Sequence, residues 1–144
     1  MLLPKTRLDR LVQLRERTED GALSNLARAR QALGRAQERL AGAVAAARSD
    51  ARSAADSAFW AVEEAANGRA LQVVRAARQD VSRAAAGEAS ARQGYAEART
   101  KAESVRRVAD RKRLEIVKGQ AKVEARRLDE MGAVAFARSR PSGT

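Results

Sequence analysis

Two acidic pairs, Glu63-Glu64 and Asp129-Glu130, are where this sequence comes nearest to acid–base chemistry. Neighbouring carboxylates can serve as proton donor and acceptor, but only inside a cleft that shifts their pKa values apart. Both pairs stand in charge-rich runs with helical spacing, where carboxylates are ordinary solvated groups. His and Cys are absent, which removes the imidazole base, the thiol nucleophile, disulfides and the usual zinc ligands. No Gly is followed by Lys-Ser or Lys-Thr, so the phosphate-cradling P-loop is missing as well. The expectation is a protein that is not an enzyme, with no cofactor, no metal and no small-molecule substrate.

Binding chemistry has better candidates. Arg106, Arg107, Arg111, Lys112, Arg113, Lys118, Lys122, Arg126 and Arg127 crowd one stretch. Phosphate contacts need only such density. Here, however, Asp110, Glu115 and Glu124 interleave the cations and no base-reading pattern accompanies them, which favours a solvated or protein-docking surface over nucleic acid. Phe59-Trp60 is a second candidate. Adjacent helical residues point in different directions, so at most one can lie deep in a two-helix seam. The other is either an exposed interface anchor or local packing against a neighbouring arm.

The elements that would position these residues follow from composition. Of the 144 residues, 44% are hydrophobic and only 3% aromatic, and much of the apolar share is alanine. Alanine buries little area, so the composition matches long helices and coiled coils and not a globular core. Pro4 and Pro141 are the only prolines, leaving everything between them free to be helical. Ala22, Leu26, Ala29, Leu33, Ala36, Leu40, Ala43 and Ala47 alternate steps of four and three, a heptad seam with Leu at every other position. Tyr95, Ala98, Ala102, Val105 and Ala109 repeat it, followed by Ile116 and Val123. Between them Leu71, Val74, Val81 and Ala85 make a looser stripe. Gly21, with Asp20, could weaken the first arm locally, but strong periodicity on both sides predicts a continuous helix.

Asn67-Gly68 lies between the two seams. Both residues tolerate positive φ, and Gly often follows a helix end, so the pair reads as a chain reversal. The prediction is all-α: a long two-helix antiparallel coiled-coil hairpin forming a single domain. Its first arm spans about 6–66, the turn about 67–69, the second arm about 70–138, and 139–144 is a disordered end. Leu40 would then lie near Tyr95, Leu26 near Ala109 and Leu11 near Val123. Met1-Leu2-Leu3 is broken by Pro4-Lys5, and no run approaches the roughly 18 apolar residues of a membrane span, so a soluble cytoplasmic protein is expected. The net charge of +11 is concentrated in the second half, which suggests an acidic partner surface, nucleic acid or an anionic membrane without choosing among them.

The two ends resemble a known family. Leu8-Asp9-Arg10-Leu11-Val12-Gln13-Leu14-Arg15-Glu16-Arg17, followed by the Ala/Leu heptads, is similar to the N-terminal arm of the FliJ family. Lys122 through Glu130, with Phe136-Ala137-Arg138 after it, resembles that family's basic C-terminal helix. The stalk proteins of virulence secretion, the SctO/YscO group, share the architecture. The resemblance implies a non-enzymatic central stalk of type III protein export. Its terminal end would enter a hexameric export ATPase, promote its assembly and activity, and couple it to a membrane-embedded export gate. Export chaperones are implied as further partners, and a location peripheral to the inner membrane. Carried onto this chain, Arg7, Leu8, Arg10, Leu11, Arg126, Arg127, Leu128 and Asp129 fall at the ATPase-binding end, and Phe59, Trp60, Leu71 and Val74 toward the gate. A stalk subunit of a rotary ATPase and a basic nucleic-acid-binding coiled coil are the competing readings.

Overall fold

The computed structural model describes residues 4–53 and 60–139. They form two helices, α1 (Asp9–Ser53) and α2 (Trp60–Ser139), which pack against one another as an antiparallel hairpin. No strand occurs among the described residues. The start of α1 is fixed by a cap in which Thr6 donates twice to the Asp9 carboxylate. The Thr6 hydroxyl donates to Asp9 Oδ1 at 2.7 Å, and the Thr6 backbone N–H donates to Asp9 Oδ2 at 3.0 Å. This ties down the Thr6 N–H, one of the backbone donors left without an intrahelical partner at the helix N-terminus. The helix then passes through Asp20 and Gly21 without a break, as the flanking periodicity predicts.

By packing, the chain divides into two compact units: Arg17–Arg99, and Met1–Glu16 with Thr100–Thr144. In the first, every member of the Ala22-to-Ala47 seam is buried or half-buried. The facing stripe of α2 is Ala70, Val74, Ala77, Val81, Ala84, Glu88, Ala91, Tyr95 and Ala98, again in steps of four and three. In the second unit Leu8 and Val12 on α1 are half-buried, and Ala102 and Ala109 on α2 are completely buried at 0% exposure. Alanines alternate with Leu, Val and one Tyr along the seam; the alanines allow close approach of the backbones but supply few dispersion contacts each. Cross-helix ion pairs add specificity: Asp9–Arg113 (2.9 Å) and Glu16–Arg106 (3.0 Å) in one unit, Arg30–Glu88 (3.5 Å) in the other. From Leu114 to Ser139 every residue of α2 is exposed.

The hairpin matches the expectation, but its turn does not lie at Asn67-Gly68. Both residues are inside α2, and no described glycine has a positive φ. The reversal falls between Ser53 and Trp60, outside the described residues. Asn-Gly permits a turn without requiring one. Keeping Gly68 helical costs about 1 kcal/mol, and the burial of neighbouring seam residues such as Ala66, Ala70 and Val74 offsets it. The arms therefore run 9–53 and 60–139, against the expected 6–66 and 70–138.

Moving the turn changes the pairing. Asp9 and Glu16 meet Arg113 and Arg106, whereas a turn at Asn67-Gly68 would bring them to positions about two heptads further along α2. Leu11 is consequently not beside Val123. The seam survives the error because a shift by whole heptads returns the same face. Leu71 and Ala85, expected in the stripe, are exposed, and their neighbours Ala70 and Ala84 occupy it. Ile116 and Val123 keep the heptad phase but lie beyond the start of α1, which leaves nothing among the described residues of that unit to cover them.

Candidate functional site

The N-terminal half of the expected ATPase-binding cluster sits at the start of α1, with Arg7 and Leu8 in the turn just before the helix and Arg10 and Leu11 in its first turn. Arg7 and Arg10 are exposed, Leu8 is half-buried, and Leu11 is 37% exposed. Between them Asp9 works in two directions. It caps its own helix through Thr6 and accepts a hydrogen bond from Arg113 Nη2 of α2, while Arg113 Nη1 donates to Asp110 at 2.9 Å. The Thr6 hydroxyl and backbone N–H, with the Arg113 guanidinium beside them, hold the Asp9 carboxyl below its ordinary pKa. Two turns further along α1, Arg106 Nε donates to Glu16. Asp9, Val12, Gln13, Glu16, Arg106, Asp110 and Arg113 together line a shallow, largely polar groove.

The C-terminal half of the cluster lies elsewhere on α2. Arg126, Arg127, Leu128 and Asp129 are all exposed on the uncovered segment, and Leu128 is 68% exposed. Arg126 is thirteen residues past Arg113, or about 20 Å along the helix at 1.5 Å per residue. The two halves are thus not brought together; the observed pairing places Arg106 and Arg113, not Arg126 and Arg127, beside the start of α1. Arg126 and Arg127 have no ion-pair partner among the described residues.

Of the residues assigned toward the gate, Phe59 and the side chain of Trp60 lie outside the described residues. Leu71 is 54% exposed on α2, while Val74 is buried in the seam at 8%. A buried Val74 can influence a partner only through packing, so Leu71 is the one of this pair that offers a contact surface.

Sequence reasoning missed Glu88. It occupies a seam position, three residues before Ala91 and four after Ala84, and is 7% exposed. Arg92 Nη2 donates to its Oε1 at 2.7 Å and Arg30 Nε at 3.5 Å. The Arg92 hydrogen bond, with the charges of Arg92 and Arg30, holds the carboxyl below its ordinary range. The heptad phase running from Val74 to Tyr95 was the signal that could have revealed it. Asp9 and Glu88 are both biased toward the charged form, which suits ion pairing and not proton donation. Glu63 is half-buried, and Glu64, Asp129 and Glu130 are exposed on helix faces. Among the described residues no cluster of acidic side chains could hold a metal ion, and no helix is long and apolar enough to cross a membrane.

Comparison with known proteins gives one family. No curated protein and no solved structure matches the chain. The family model described as "Flagellar FliJ protein" matches residues 4–141, which takes in both helices, the ion-paired start of α1 and the whole uncovered segment of α2. The chain therefore belongs to the FliJ family, whose members are components of the flagellar export apparatus.

Proposed function

We propose that the chain is the non-enzymatic coupling stalk of the flagellar export apparatus. The unit containing the helix start inserts into a hexameric export ATPase and promotes its assembly and activity, and α2 links it to the membrane export gate from the region nearer the reversal. The observation that carries this reading is the uncovered end of α2. Twenty-six consecutive helical residues, Leu114–Ser139, are all exposed, carrying Leu128 and the cations Arg126 and Arg127, which have no ion-pair partner among the described residues. A lone charged helix of that length has surface to give to a partner and no chemistry of its own. Arg7, Leu8, Arg10 and Leu11 supply a second contact strip at the start of α1. Their positive charge suits an acidic lining and would steer insertion electrostatically. Leu71, with Phe59 and Trp60, is assigned to the gate side. Export chaperones are further partners, and the working location is cytoplasmic, against the inner membrane.

The test is stimulation of the cognate export ATPase by the purified chain, read as hydrolysis rate and hexamer formation. Arg126→Glu with Arg127→Glu should abolish both effects; unchanged stimulation would remove this end from the docking surface. Co-purification with a proton-translocating rotary ATPase in place of the export ATPase would favour the stalk-subunit alternative.

A further inference from the structure

The uncovered segment of α2 carries a second heptad seam, distinct from the one that faces α1. Leu114, Val117, Ala121, Leu128, Met131 and Ala135 fall at steps of three and four, with Glu124 filling the one remaining core position. At 100° per residue this stripe lies about a quarter-turn from the phase of Ala109, so it does not continue the seam that α1 covers. Leu114, Leu128 and Met131 are each more than half exposed, and Met131 and Ala135 line a shallow apolar depression with Val134.

The charges beside this stripe identify what would cover it. In a coiled coil the two positions flanking the core decide which partner is accepted. From Arg111 to Val134 those positions hold Arg111, Lys118, Ala125 and Gly132 on one side and Arg113, Gln120, Arg127 and Val134 on the other. Every charge among them is positive. The acids Glu115, Asp129 and Glu130 lie on outer positions, away from the stripe. Arg111, Lys118 and Arg127 have no ion-pair partner among the described residues, whereas Arg113 is already held by Asp9 and Asp110. A second copy of this chain would bring the same cations against these, which disfavours self-pairing.

We infer that Leu114–Ala135 is a docking seam for an amphipathic helix of a partner protein, one with acidic flanking positions and a basic residue opposite Glu124. A single polar group in an otherwise apolar seam fixes register, so Glu124 would set where along the segment the partner helix sits. The seam is about 33 Å long, enough for three heptads. The inference rests on the reading above in taking the end of α2 as a docking surface, and it gives the partner's chemistry. It also separates two neighbouring arginines: Arg127 flanks the seam, while Arg126 points away from it.

The test uses the full chain and two synthetic three-heptad helical peptides. Both have Leu and Ile at core positions and Lys opposite Glu124; one has Glu and the other Lys at all flanking positions. The Glu-flanked peptide should bind, and the Lys-flanked peptide should bind at least about tenfold more weakly. Lys118→Glu with Arg127→Glu should reverse that preference, Arg126→Glu should leave it alone, and Leu128→Glu should weaken both peptides. Absence of binding, equal binding of the two peptides, or a preference untouched by the charge swap would overturn the inference. So would a dimer of the chain alone that Leu128→Glu dissolves, because a second copy would then occupy the seam. ATPase stimulation is read in parallel. Peptide binding without stimulation overturns the stalk reading alone; stimulation without peptide binding overturns the seam alone.

Discussion

Replacing Gly68 with Ala gives a test whose sign alone discriminates. In the structure Gly68 lies inside α2, is exposed, has no positive φ, and a Cβ added to it would meet nothing within 4 Å. Alanine there adds no clash and removes the conformational freedom that glycine keeps in the unfolded chain. The expected gain is about 0.5–1 kcal/mol. For a chain of 144 residues, an unfolding entropy of about 2 cal/mol/K per residue turns this into a rise in Tm of about 2–3 °C. If Gly68 were instead the left-handed residue of a turn, the added Cβ would cost about 1–2 kcal/mol and lower Tm by several degrees. Thermal unfolding followed by circular dichroism at 222 nm resolves the difference. A clear fall in Tm would refute the continuous helix and restore the reversal at Asn67-Gly68.

The pairing itself is open to crosslinking. Cysteines replacing Glu16 and Arg106 should join within one chain through a short bifunctional reagent, while cysteines at Glu16 and Gln120 should not, since Gln120 lies about 21 Å further along α2; efficient joining of the second pair would overturn the observed register. Acid should weaken the hairpin through Asp9 and Glu88. Both carboxyls are held below their ordinary pKa in the folded state, so the unfolded chain binds more protons in the acid range and stability falls as pH drops through about 4 toward the folded values. Asp9→Asn with Glu88→Gln should flatten that dependence in urea titrations at pH 3 to 7, and an unchanged slope would show that these ion pairs do not carry it.

What was legible in the sequence was whatever repeats. Ala22 through Ala47 and Tyr95 through Ala109 announce a helical seam by spacing alone, and each of those residues is buried or half-buried. What was not legible was whatever a repeat leaves degenerate. A seam with a period of seven looks the same after a slip of seven, so only the turn or a labelled contact can fix the register, and the turn signal at Asn67-Gly68 pointed to the wrong place. The labels are long-range ion pairs, Asp9–Arg113, Glu16–Arg106 and Arg30–Glu88, and sequence spacing does not single them out. The stripe from Ala70 to Ala91 was legible only at Val74 and Val81, for a different reason. Its members are mostly alanine, with one glutamate, while the larger Leu71 beside them drew attention and is exposed. For the candidate site, the cationic character of the C-terminal segment could be read from the sequence. Its separation from the start of α1 follows from the register and could not.

The uniform, alanine-rich seam also constrains how such a chain can change its length. Deleting one residue from either helix rotates everything beyond it by about 100° and turns the small residues away from their partners. Deleting seven from each helix removes one matched block and leaves every remaining side chain facing as before. Insertions and deletions in the paired portions should therefore be accepted in matched blocks of seven, whereas the uncovered end of α2 is free to lengthen or shorten residue by residue, limited only by what docks on it.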